Sequence, residues 1–365
     1  MWRPVGRHDP CLNAPDSTRP AGSPQRTEPV DVAVLNGTTD HPQFWEGRCQ
    51  VLSLDGGGLR GLFSAAVLAA LEEDLDSPVL DHFDLVTGTS TGGLIALALG
   101  AGVPARSILE FFVDEGPRVF RAPRLRTFRH LGRSKYDGRA LDSALQRLFG
   151  EKLLGESCVR LVIPTFDMTR NDVYLLKTPH HPRLRRDWRV PMWEAARSTA
   201  AAPTYLPAHV LSEDRTVLVD GGVWANNPSL VGAVEASSLL GASLSNVRLL
   251  NIGTTNEFRG LPRSLTRGGA IQWLRGSALI DVLMTSQATG AFTAAQHLLG
   301  ADSVERINPS VPPRLLRLDR LRVDDAIAWA ASESRHAAPR VQGRFYDHVS
   351  VPYQAPTMPK EASHA

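Results

Sequence analysis

Two glycine turns, each joining an apolar strand-like run to an apolar helix-like run, constrain this chain more than any other feature. Val51-Leu52-Ser53-Leu54-Asp55 reads as a buried strand, and the spacing of Leu62, Val67, Leu68, Leu71 and Leu75 predicts a helix after it. Gly56-Gly57-Gly58 lies between them. One unit downstream, Phe83-Asp84-Leu85-Val86-Thr87 reads as a second strand and Leu94 to Leu99 as a second helix, closed by Gly100 and Gly102. The turn between these is Gly88-Thr89-Ser90-Thr91-Gly92. Strands and helices alternating in this way imply an α/β fold.

A serine on a strand-to-helix turn has chemical consequences. The flanking glycines let the backbone take a tight path that lifts the hydroxyl into the open. The following helix N-terminus offers N–H groups to a developing oxyanion. Three consecutive glycines upstream make a second place where bare N–H groups converge on negative charge. Gly56 to Gly61 also satisfies G-x-G-x-x-G, the dinucleotide pattern. That pattern needs an acidic residue ending a second strand, and the serine turn occupies that place instead.

With Asp220-Gly221-Gly222, these turns resemble the motifs of the patatin-like phospholipases, a family of lipid acyl hydrolases. Three further stretches are similar to the family's connecting segments: Ala200 to Pro207, Asp220 to Pro228, and Leu250 to Thr254. The resemblance covers roughly residues 49 to 310. It implies a three-layer α/β patatin-like fold with a central, mostly parallel sheet and a Ser–Asp dyad without histidine. Ser90 is then the nucleophile and Asp220 the base. Gly56, Gly57, Gly58 and Thr91 would form the oxyanion hole, with Arg60, Gly61, Gly88, Gly92, Gly221 and Gly222 as supporting positions. On the residues alone, Asp220 reads first as an ordinary turn aspartate ending the strand Val217-Leu218-Val219. As a base it needs partial burial to raise its proton affinity, so a dry, apolar cleft is expected around it.

The function implied is a serine lipid acyl hydrolase of phospholipase A type, releasing fatty acids from phospholipids through an acyl-enzyme. Neither metal nor cofactor is needed. Compact bacterial members of the family include antiphage effectors switched on by cyclic nucleotides, so a cyclic-nucleotide activator is one expected partner, beside the lipid ester and a transient membrane surface. Two alternatives stand. One is a Ser-His-Asp triad using His297, His336, His348 or His364. The other is a non-catalytic lipid-binding relative.

Arginines gather twice. Arg118, Arg121, Arg124, Arg126, Arg129, Arg133, Lys135 and Arg139 face one acid, Asp137; Arg183, Arg185, Arg186 and Arg189 form the second cluster. Either is a solvated loop or a face for phosphate groups. No interleaved aromatic stacking pattern accompanies them, which argues against nucleic acid. The apolar tract Ile271, Trp273, Leu274, Leu279, Ile280, Leu283 and Met284 reads as a helix within Gly269 to Leu299, packed on the core or covering an acyl pocket, with Gly269 and Gly276 as hinges.

At 365 residues and 42% apolar content, the chain suffices for one large α/β domain. Residues 1–48 are expected to form a disordered leader, 49–350 the folded domain, and 351–365 a flexible tail. A net charge of +2 says little about partners, and three scattered cysteines fit a reducing compartment. Without a signal-like segment or a membrane-length apolar run, the expected location is cytoplasmic, or peripheral on the membrane.

Overall fold

Parallel strand pairing sets the centre of the molecule. The computed structural model describes residues 45–120, 134–257, 263–269, 273, 278–311, 316–317 and 320–356. In it β1 (Cys49–Leu54) runs parallel to β2 (Leu85–Gly88) on one edge and to β7 (Val247–Ile252) on the other. The sheet extends in parallel from β7 to β9 (Val304–Ile307), the two-residue β8 (Asn256–Glu257) between them in the chain lying outside this sheet, and from β2 to β3 (Arg160–Asp167). Beyond β3 the pairing turns antiparallel, to β4 (Asp172–Lys177), β6 (Val217–Asp220) and β5 (His209–Val210). The result is an eight-stranded sheet ordered β5-β6-β3-β2-β1-β7-β9, with β4 on β3.

Alternate strand residues feed two cores. Leu52, Leu54, Leu161, Ile163, Leu250 and Ile252 join α1 (Gly61–Leu75), α2 (Thr91–Gly100), α3 (Ala105–Val119), α4 (Arg139–Phe149), α5 (Met192–Thr199) and α9 (Val323–Phe345). Val51, Val162, Val247 and Leu249 face the other way, onto α7 (Ser229–Ser238) and α8 (Ala278–Leu299). This is the period-two signature of a sheet covered on both faces. Three layers follow, as expected for the patatin-like fold. Each fully buried Val or Leu side chain contributes about 1.5–3 kcal/mol.

The edges of β3 bring the site together. β4 pairs with Val162 to Asp167 on one edge. β2 pairs with Arg160 to Val162, and β6 with Thr165 to Asp167. A strand has only two edges, so β2 and β6 share the one β4 leaves free. They run toward each other along it, and their C-terminal ends meet across Ile163 and Pro164. Pro164 has no N–H to give a ladder, which suits a position where the ladder is interrupted.

α9 continues through Pro339 to Phe345. The extension packs on α1 through buried Ala337, Val341 and Phe345, and Ser334 Oγ donates to Asp74 at 2.7 Å. Helix α8 is described from Ala278, so Ile271, Leu274 and Gly276 of the apolar tract lie outside the described residues. So do Arg121, Arg124, Arg126, Arg129 and Arg133 of the first arginine cluster, and His364. The flanking Arg118 and Arg139 pair locally with Glu115 (3.0 Å) and Asp137 (2.9 Å). Among the described residues, no helix is long and apolar enough to cross a membrane, and no His, Cys, Asp and Glu side chains gather in a metal-holding group.

Candidate active site

Ser90 stands between the end of β2 and the first residue of α2, with φ +55° and ψ −123°. A side-chain-bearing residue persists there only where its surroundings enforce it. Its N–H donates to Thr199 Oγ1 at 2.9 Å, and that hydroxyl donates onward to the Pro164 carbonyl at 2.7 Å. Thr89 Oγ1 donates to Ala225 O, and Thr89 N–H to Leu54 O. β1, β3, α5 and the short α6 (Gly222–Ala225) therefore all brace the turn. Gly88 and Gly92 are required by proximity. A Cβ on Gly88 would strike the Gly92 carbonyl, and one on Gly92 would strike the Leu54 carbonyl.

Asp220 ends β6, opposite Thr165 of β3. Its N–H donates to Ala201 O at 3.1 Å, and its Oδ1 accepts the Gly222 N–H at 2.6 Å. Oδ2 is buried without a well-formed hydrogen bond. Burial pushes this carboxyl from 3.8 up to about 6, opposed by the nearby Ser90 hydroxyl and the Gly222 N–H. Gly221 fits against the Pro164 carbonyl with no room for a Cβ. A carboxylate deprived of water beside a serine hydroxyl is poised to accept its proton.

The glycine loop follows β1. Gly56 N–H donates to Asn226 O at 2.9 Å. The N–H groups of Gly57, Gly58 and Thr91 have no acceptor among the described residues. Arg60 Nε donates to Gly57 O at 3.4 Å, bracing the loop from behind, and Gly61 lies tight against Thr91. Thr254 Oγ1 donates to the Gly56 carbonyl at 3.2 Å.

Beneath the loop lies a polar cluster that motif reading did not single out. Buried Asp55 takes hydrogen bonds from Asn227 Nδ2 (2.8 Å), Asn251 Nδ2 (2.7 Å) and Arg306 Nη2 (2.9 Å). Burial raises the Asp55 carboxyl, while Arg306 and the two amides act in the opposite direction. Arg306 comes from β9, a strand absent from the sequence reading, so no local signal pointed to it. Asn226 also enters the site. Its Oδ1 is buried without a partner beside Gly56 and Gly222, and its N–H donates to Gln287 of α8 at 2.7 Å.

From Ser90 and Asp220 opens an apolar cavity of about 210 Å³. Leu94, Phe111, Phe112, Val119, Leu141 and Leu206 line it, as do Leu283 and Met284 of α8. Val223 and Leu283 are 51% and 57% exposed, although both line the cavity, so its mouth carries an apolar lip. Glu115, the carboxylate on the wall besides Asp220, is held by Arg118 (3.0 Å) and Arg147 (2.9 Å).

No histidine lines this cavity among the described residues. His297 is exposed near the end of α8, His336 bonds to the Ser332 carbonyl of its own helix, and His348 pairs with Asp84. A Ser-His-Asp triad drawn from these three finds no support in their positions.

The chain is similar to several known proteins. The family model described as patatin-like phospholipase matches residues 52–231. A protein of Pseudomonas aeruginosa named cGAMP-activated phospholipase is 34% identical over 84% of this chain and 91% of its own length. A protein of the same name from Vibrio cholerae is 34% identical over 61% of this chain and 69% of its own length. Patatin-like protein 1 of Oryza sativa subsp. indica is 32% identical, covering 66% of this chain and 68% of its own.

Proposed function

The chain belongs to the patatin-like phospholipase family and is a hydrolase of ester bonds, and we propose that it releases fatty acids from phospholipid through an acyl-enzyme on Ser90. The observation that carries this reading is the water-poor Asp220 carboxylate beside the strained Ser90, at the head of an apolar cavity. Ser90 Oγ attacks the ester carbonyl as its proton passes to Asp220. The carbonyl oxygen becomes an oxyanion, received by the N–H groups of Gly57, Gly58 and Thr91. As the carbonyl re-forms, the lysolipid alkoxide leaves with the proton from Asp220. A water, deprotonated by the same carboxylate, then attacks the acyl-serine, and fatty acid and free Ser90 are released. Each step uses preorganised N–H donors and a tuned base. The acyl chain lies in the cavity, and Val223 and Leu283 at its lip suit contact with a lipid surface.

Activation by a cyclic nucleotide is the second part of the proposal. It is supported by the name cGAMP-activated phospholipase borne by relatives that match most of their length to this chain.

The test is fatty-acid release from mixed phospholipid vesicles, with and without a panel of cyclic nucleotides. Ser90→Ala and Asp220→Ala should each lower turnover at least ~10³-fold, and His297→Ala should leave it intact. A fluorophosphonate should label Ser90, located by peptide mass spectrometry. Loss of activity in the histidine variant, with Asp220→Ala tolerated, would overturn the dyad.

A further inference from the structure

We infer that the molecule carries a second binding site, for a phosphate-bearing cyclic nucleotide, in the cleft where the start of β3 and the chain after β4 meet residues 352–356. The inference rests on the activation reading above and gives that activator a place.

The cleft has a volume of about 610 Å³, within the ~300–1,000 Å³ common for small-molecule sites. Its lining includes Arg160, Arg185, His180, His181, Tyr353 and Gln354 and, among the described residues, no carboxylate. The nearby Glu235 is already paired with Lys177 (2.5 Å) and hydrogen-bonded to His180 Nε2 (2.9 Å). Burial holds both His180 and His181 below the ordinary imidazole range, with Arg183 adding to the effect at His181. The positive charge of the cleft therefore comes from its arginines. Arg185 donates through Nε to the Pro182 carbonyl at 2.9 Å and has no acidic partner among the described residues.

Arg160 is the better-built anion ligand. Its guanidinium lies 4.9 Å from the Trp45 ring centroid and 5.2 Å from that of Tyr353. Its hydrogen bonds leave from Nη1 alone, to the carbonyls of Val351 (3.1 Å) and Asp84 (3.4 Å). Nε and Nη2 meet no acceptor among the described residues. A part-buried guanidinium, oriented by aromatic rings and with donors to spare, matches a phosphate. The Tyr353 ring on the cleft wall offers a planar surface for a base. Phosphate and flat ring together describe a nucleotide better than a bare anion.

The cleft also has a route to the catalytic centre. Arg160 begins β3 and bonds to Asp84, which immediately precedes β2. The far ends of those two strands hold Ser90 and face Asp220. From Arg160 to Pro164 is four residues of strand, about 13 Å.

The test uses the full chain, with calorimetric titration of cGAMP and fatty-acid release measured in parallel. Arg185→Gln, at an exposed position, and Tyr353→Ala should each weaken cGAMP binding at least ~10-fold and move the activation midpoint equally. Hydrolysis of a short-chain soluble ester without nucleotide should be unchanged. Undiminished binding in both variants, with activation retained, would remove the cleft while leaving the activation reading intact. If the wild-type protein hydrolyses the ester but neither binds nor responds to cGAMP, both fall. Displacement of cGAMP by phosphatidylglycerol vesicles would identify the arginines as headgroup ligands and overturn the nucleotide assignment.

Discussion

Asp220 must be ionised to act as a base, yet its surroundings favour the proton. The two demands set opposite pH dependences. For catalysis, kcat/KM on a soluble ester should be level above about pH 6 and fall about tenfold per pH unit below it. An acidic limb centred near 4 instead would mean that the carboxylate is hydrated in the working enzyme. For stability the sign is reversed. The native carboxyl holds its proton up to about 6, whereas an unfolded one loses it near 3.8. The favourable contribution of the protonated form is full below 3.8 and disappears as pH rises through about 6. At pH 7.5, Asp220→Asn should therefore be more stable than wild type, on the order of 2–3 kcal/mol, with the difference vanishing near pH 3.5. Denaturant titration at the two pH values measures it. Of the two proposed catalytic residues, Ser90 was legible in its glycine turn, whereas Asp220 was marked only by the family resemblance, since a local reading makes it a turn aspartate. Thr199, Asn251 and Arg306 were not legible, since they reach the site from distant segments by tertiary contact alone.

Among the elements, α2 and α8 both line the cavity, α2 through Thr91 and Leu94. α2 is buried throughout, a helix read easily from its continuous apolar run. α8 contributes Leu283 and Met284 to the cavity while leaving Leu283 largely in solvent. The helix lines the cavity at those two residues, a placement that periodicity alone could not separate from core packing. An acyl chain entering the cavity should gain about 0.8 kcal/mol per methylene, roughly fourfold in kcat/KM, until the space is filled. Leu283→Ser with Met284→Ser should flatten that chain-length series while leaving the shortest ester nearly unaffected. A series equally steep in the double variant would show that α8 contributes nothing to acyl binding. Other parts of the fold carry little local signal, for a plain reason. β9 is short, with Glu305 and Arg306 in its middle, and α9 runs on through a proline because α1 provides a surface for it.

On the scale of the whole molecule, the α/β class and the two-sided sheet were readable from alternating runs, but the strand order was not. Pairing across long stretches of chain depends on which surfaces fit, and no local pattern encodes it. The antiparallel flank is the part with the most to say about durability. β6 is tied to β3 by three residue pairs and to the two-residue β5 by two, whereas β1 is paired along its length with β7. Short, edge-near ladders open at lower free energy than central ones. Backbone amides of Val219 and Asp220 should exchange with deuterium well before those of Val51 and Leu250. The base would then leave its post while the bulk of the sheet is still closed. As urea is added, hydrolysis should stop in a transition that precedes the loss of circular dichroism, and it should return at once on dilution. For this molecule, loss of activity would be a reversible fraying of one margin rather than the collapse of the whole.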